Sequence, residues 1–142
     1  MIKCIPPFIF KNLKYLEKVN LSNNQIVSVF STSLFGIENL RDLFLMNNQI
    51  CFIHPKALHS LNNLMNLSLE NNNLTLIFKG QFKGLINLNN LNLNHNNLKF
   101  IDPNLFKDIL RFDNLYLENN QLTDDSATKL KSQVNVLTSF KI

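Results

Sequence analysis

Charge is scarce in this 142-residue chain: Asp, Glu, Lys and Arg supply 17% of it, below the usual share of about a quarter. The net charge of +4 mildly favours acidic partners, but the lysines are scattered rather than run together. Long apolar runs are missing as well, and none approaches the roughly 20 residues that cross a bilayer as a helix. The opening Met1-Ile2-Lys3-Cys4-Ile5-Pro6-Pro7 lacks the apolar stretch and small-residue cleavage site of a secretion signal. Two cysteines cannot build a disulfide framework. The three glycines, Gly36, Gly80 and Gly84, do not have the spacing of a phosphate-binding loop. His54 and His59 have no acidic residue close by, whereas zinc wants three or four ligands. No metal, cofactor or catalytic constellation is expected.

What is present is apolar residues at 45%, enough for a core, and asparagine in unusual number, 25 Asn against 26 Leu. Asn is a poor former of both helices and strands. So many must be held by a special backbone arrangement, which suggests a repeat.

The repeat is 24 residues long and uninterrupted. Leu16, Leu40, Leu64, Leu88 and Phe112 mark position 1 of five copies. Position 4 reads Val19, Leu43, Leu67, Leu91, Leu115, and position 6 reads Leu21, Leu45, Leu69, Leu93, Leu117. Position 9 is always Asn: Asn24, Asn48, Asn72, Asn96, Asn120. Ile or Leu follows at position 11, then Val29, Ile53, Ile77 and Ile101 at 14, and Leu34, Leu58, Phe82 and Phe106 at 19.

The alternation at positions 4 and 6 describes a strand with one face inward. Successive copies should stack as a parallel sheet about 4.8 Å apart, each burying its apolar face against its neighbours. The position 9 amides should sit where the chain leaves the strand, satisfying backbone groups otherwise unpaired, each worth about 1–3 kcal/mol. Cys4 and Cys51 fall two turns, roughly 10 Å, apart, too far for a disulfide that needs Cα atoms within about 7 Å. They are expected to be free thiols.

This pattern, L-x-x-L-x-L-x-x-N-x-L with downstream Ile and Phe columns, resembles the typical 24-residue class of leucine-rich repeats. That class is familiar from Toll-like receptor ectodomains, Slit proteins and small leucine-rich proteoglycans. The resemblance implies an α/β solenoid, a right-handed curved coil with short parallel strands on the concave face and irregular or 3-10 turns on the convex face. It also implies a non-enzymatic binding scaffold.

A single domain over 1–142 is expected. Residues 1–15 match the back half of a repeat, 16–122 hold the repeats, and 123–142 form a degenerate repeat or cap. Opening in mid-repeat leaves the first edge unshielded, so a piece of a longer protein is expected. Thr123-Asp124-Asp125 suits a helix start with a short helix over Ser126 to Ser132, and Val134-Asn135-Val136-Leu137 suits an edge strand.

The concave positions 3, 5, 7 and 8 should carry recognition. The candidates are Lys18, Asn20, Asp42, Phe44, Met46, Asn66, Ser68, Glu70, Asn90, Asn92, Asn94, His95, Asn114, Tyr116 and Glu118. Phe44, Met46 and Tyr116 are its large apolar members, the kind that anchor interfaces, although lone exposed apolar residues are common. Asp42, Glu70, Asp113 and Glu118 make the face mildly acidic, against nucleic acid. A basic column at position 20, His59, Lys83, Lys107 and Lys131, suits a solvated back, or a hold on an acidic partner or membrane surface.

Candidate N-glycosylation sites stand at Asn20, Asn66 and Asn73. About 2.5 such triplets are expected by chance from this composition, so their number says nothing about compartment. The expected partner is a protein, with a glycan as the second class. An extracellular or ectodomain setting is preferred to an intracellular adaptor or regulatory subunit, whose case rests on the free thiols and absent signal.

Overall fold

The computed structural model describes residues 1–109, 112–134 and 136–141. Its main sheet is built from β1 (Lys18–Asn20), β3 (Asp42–Phe44), β5 (Asn66–Ser68), β6 (Asn90–Asn92), β7 (Phe112–Tyr116) and β8 (Val136–Lys141), all parallel and in that order. The register is the sequence period made visible: Val19 pairs with Leu43, Leu43 with Leu67, Leu67 with Leu91 and Leu91 with Leu115. From β1 to β7 each main-sheet strand therefore presents the same repeat position to its neighbour, and the fold is the expected leucine-rich-repeat solenoid.

On the far side of the coil each turn returns through an arc. Two arcs hold short strands, β2 (Ser28–Val29) and β4 (Phe52–Ile53), paired parallel. The fourth holds a 3-10 helix, Pro103–Phe106. Asp102 caps that helix by accepting from the backbone N–H and side-chain amide of Asn104, and the same bonds hold its carboxyl below the usual carboxylate range.

Between sheet and arcs lies one continuous core. Leu43, Leu67, Leu91 and Leu115 are buried from the strands, and Val29, Ile53 and Ile101 from the arcs. The position 19 column closes it: Phe82 stacks on Phe106 at 5.7 Å, and Phe106 meets Phe112 edge-on at 5.3 Å. Gly84 is needed where one arc passes the next. It has φ +87°, and a Cβ there would lie 2.8 Å from the His59 carbonyl oxygen.

At the C-terminal end the helix α1 spans Asp124–Gln133, longer at both ends than the expected Ser126 to Ser132. Thr123 is its N-cap, accepting from the Ser126 N–H at 3.3 Å. Asp124 and Asp125 lie in the first turn and Lys131 in the last, each matching the helix dipole. The expected edge strand is displaced. Val134 is the helix C-cap, its N–H donating to the Leu130 carbonyl, and the strand begins at Val136. The Asn135 part of that expectation lies outside the described residues. β8 joins β7 with a register shift between Phe112 and Asn114, so the final strand leaves the 24-residue phase.

Candidate recognition face

Each main-sheet strand of the first four repeats is three residues long, covering positions 3 to 5 of its repeat. Position 4 points inward, so positions 3 and 5 are displayed on the concave side. Beyond the strand the chain turns sharply at position 8. Asn23, Asn47, Asn71, His95 and Asn119 all have φ between 52 and 59°. This is the left-handed region, which Asn tolerates better than most L-residues. Position 8 is thus the turn itself, where strand alternation has already ended.

Position 9 then enters the interior. Asn72 Nδ2 donates to the Leu45, Leu69 and Glu70 carbonyls at 3.0, 3.0 and 3.2 Å, and its Oδ1 accepts from the Ile50 N–H at 2.9 Å. Asn48 and Asn96 repeat this set one turn either way, as does Asn120 with one long contact of 3.5 Å. Each amide ties its own turn to the one before. Asn24 makes two donor bonds, to Leu21 and Ser22, and accepts from Ile2.

On the concave face a second amide column runs along position 3. Asn66 donates to Asp42 at 2.5 Å, Asn90 to Asn66 and Asn114 to Asn90 at 2.6 Å each. An ionised carboxylate only accepts, so Asp42 sets the direction of every amide after it. A third column follows position 8, with Asn71 donating to Asn47 at 2.8 Å and Asn47 to Asn23 at 2.9 Å. His95 continues it, its Nε2 lying 3.3 Å from Asn119 Nδ2. Sequence reasoning assigned this ladder role to position 9 alone. The signal for the others was the recurrence of Asn at 24-residue spacing on the solvent side.

Position 5 is different. It reads Asn20, Phe44, Ser68, Asn92 and Tyr116, so two aromatic rings stand three strands apart, roughly 14 Å, with short residues between. The result is a shallow groove of about 360 Å³ whose walls are Phe44, Met46 and Tyr116, with Ser68 and Asn92 between them. Glu70 and the Asn66 and Asn90 amides border it. Lys18 Nζ lies 5.1 Å from the Phe44 ring centroid and Lys141 Nζ 5.8 Å from that of Tyr116. Ser68 Oγ is buried and has no hydrogen-bond partner among the described residues.

Of the expected recognition residues, the structure brings Phe44, Met46, Asn66, Ser68, Glu70, Asn90, Asn92 and Tyr116 around one groove. Asp42 and Asn114 belong to the amide column at its side. Asn94 and Glu118 bond each other, Asn94 Oδ1 accepting from the Glu118 N–H at 2.7 Å. Asn20 accepts from the Ser22 N–H, away from the groove. His95 sits in the turn column.

The sequon asparagines also part company. Asn66 is committed on both sides within its column, whereas Asn73 is exposed. The basic column is not uniform: His59 Nε2 donates to the Gly80 carbonyl at 3.0 Å, and Lys131 lies on α1. Cys4 and Cys51 are unpaired and exposed. No cluster of three or more His, Cys, Asp or Glu suited to a metal occurs among the described residues. Among them, no helix is long and apolar enough to cross a membrane.

The family model described as leucine rich repeat matches residues 2–50, 14–74 and 62–122. A comparison with curated proteins finds no significant match. Among solved structures, the chain is similar to a chain in the glycosylated form of the Drosophila Toll–Spatzle complex. Identity is 20% and the TM-score 0.80, covering 96% of this chain and 20% of that one. A second structure of the Toll–Spatzle complex gives 19% identity and a TM-score of 0.50, covering 99% of this chain and 25% of that one. The likeness concerns the fold, and this chain spans a fifth to a quarter of those chains' length. With its strands in 24-residue register, its Asn column closing each turn and a family match running through residues 2–122, this chain belongs to the leucine-rich-repeat family.

Proposed function

We propose that this chain is a non-catalytic recognition module that holds a protein partner in the concave groove between Phe44 and Tyr116. The observation that carries this reading is the groove itself: two aromatic walls and Met46 around short residues, on a face otherwise occupied by amides bonded to one another. Such an apolar slot bordered by a few oriented polar groups is the usual form of a binding site. The sheet edges are not on this face, so the partner does not add a strand. It inserts side chains.

Glu70 at the groove, with Asp42 and Glu118 elsewhere on the same face, favours an apolar side chain flanked by Lys or Arg. Glu70 already holds Asn92 Nδ2 at 2.9 Å, which keeps its carboxylate in place. Lys18, Asn20, Asn94, His95 and Asn114 act as the rim or its support.

The extracellular setting is supported by the fold shared with chains of the Toll–Spatzle complex and by the exposed Asn73, where a glycan would stand clear of the groove. Glycans at Asn20 or Asn66 would crowd the concave side. The alternative, an intracellular adaptor, is favoured by one observation, the two exposed unpaired thiols.

A displayed peptide library selected on the full chain tests the groove. The selected peptides are expected to share an aromatic or aliphatic residue beside a basic one. Phe44→Ala and Tyr116→Ala should each weaken them roughly tenfold or more. Peptides that bind both variants as tightly as the parent would remove the groove from the account.

A further inference from the structure

The arc side of the solenoid carries a second surface, unrelated to the groove. Phe30, Leu76, Phe78 and Phe100 are exposed by 49, 49, 38 and 58%. Phe52 joins them: its ring centroid is 6.5 Å from that of Phe30 and 5.9 Å from that of Phe78. They stand at repeat positions 13 and 15 of four successive turns, so stacking brings them into one apolar patch. Contiguous exposed patches of this kind mark interaction surfaces.

Charge around the patch has one predominant sign. The arcs 27–36, 51–60 and 75–84 contain Lys56, Lys79 and Lys83 and no Asp or Glu. The fourth arc, 99–108, adds Lys99 and Lys107 against Asp102 and Asp108. The carboxylates of the molecule otherwise lie on the concave side, its flank and α1. A second copy meeting this face through its own patch would bring like charges together.

The shape and composition also speak against a protein partner. The rings stand on a convex surface, and the cavity of about 420 Å³ between the third and fourth arcs is lined largely by charged residues, Lys79, Lys83, Asp102, Lys107 and Asp108, and does not offer an apolar slot for a partner's anchor. Protein interfaces favour aromatic residues, Phe included, together with Arg, and are depleted in Lys, so the lysines and the lack of Arg are what set this surface apart. These four arcs contain Phe, Leu and Lys, and no Tyr, Trp or Arg. Rings that protrude beside lysines suit the headgroup region of a bilayer, which deforms around whatever enters it, while anionic headgroups meet the ammonium groups.

We propose that the convex arc side is a peripheral docking surface for an anionic lipid bilayer, entered by the Phe30–Phe52–Phe78–Phe100 patch and held by Lys56, Lys79 and Lys99. Docked this way, the molecule would present its concave groove away from the membrane, towards a partner in solution. Because anionic lipid lies chiefly in the cytoplasmic leaflet, this docking favours the intracellular alternative over the extracellular setting.

Sedimentation of the full chain with vesicles tests this directly. It should partition onto vesicles of phosphatidylcholine mixed with phosphatidylserine, and only weakly onto phosphatidylcholine alone. Phe30→Ser with Phe100→Ser should lower that partitioning about tenfold or more, with the circular dichroism spectrum unchanged because both rings are exposed. Lys56→Glu with Lys79→Glu should abolish the preference for the anionic vesicles. Phe44→Ala should not alter partitioning, which separates this proposal from the concave reading. Absence of binding, equal binding to both vesicles, or binding untouched by the four substitutions overturns it. Soluble polyglutamate captured at this face as tightly as the vesicles would also overturn it, assigning the surface to an acidic polypeptide.

Discussion

Asn71 and Asn72 are neighbours in sequence, both recur in nearly every turn, and they are held by different physics. Asn72 is buried, and its amide bridges two turns through four hydrogen bonds. Asn71 is exposed, has φ 52°, and contributes one rung of a surface ladder. The first closes the coil, whereas the second allows the chain to bend into it. Asparagine is used twice because it combines an amide with tolerance of the left-handed region. The comparison also explains why His can replace Asn at position 8, in His95, while no copy departs from Asn at position 9.

Replacing the two residues should separate these roles. Asn72→Leu strands the buried Ile50 N–H and removes one of the two amide donors on each of the Leu45 and Leu69 carbonyls, which keep Asn48 and Asn96, and a loss of about 2–3 kcal/mol is expected by chemical denaturation. Asn24→Leu should cost less, about 1–2 kcal/mol, because Asn24 is only partly buried and makes fewer bonds. Asn71→Ala should cost about 1 kcal/mol, the strain of an ordinary side chain at positive φ, and Asn71→Gly should be nearly neutral. Equal losses for Asn71→Ala and Asn71→Gly would show that the ladder bond, not the backbone, matters there. Asn73→Gln, outside both columns, should change stability by less than about 0.5 kcal/mol. After secretion from a eukaryotic host it should also remove one glycan from the intact mass. A lost glycan on Asn66→Gln instead would reverse the assignment.

The fold was legible because the 24-residue period is unbroken from Leu16 to Phe112 and each apolar column has one structural meaning. The position 9 asparagines were legible for the same reason. Position 8 was not. Reading it as concave surface assumed that strand alternation continues to that point, whereas the strands stop at position 5 and the turn intervenes. The amide columns at positions 3 and 8 were hidden because a solvent-facing Asn reads as free until its neighbour one turn away is known. Phe44, Met46 and Tyr116 could be singled out by size alone, but their joining into a groove depends on Ser68 and Asn92 being short. The arc-side rings escaped notice because Phe30, Phe52, Phe78 and Phe100 alternate between two repeat positions and only stacking makes them adjacent. The C-terminal strand was misplaced by two residues because α1 persists to Gln133 and takes Val134 as its cap.

The central claim is that stability and recognition reside in separate residue sets, the buried Asn column and the position 5 groove. A side-by-side urea titration of Asn72→Leu and Phe44→Ala tests it most directly. The account predicts a large drop in midpoint for Asn72→Leu and a drop of less than about 1 kcal/mol equivalent for Phe44→Ala, whose ring is only half-buried. A Phe44→Ala chain that unfolds as readily as Asn72→Leu would contradict it, making Phe44 part of the scaffold rather than the site.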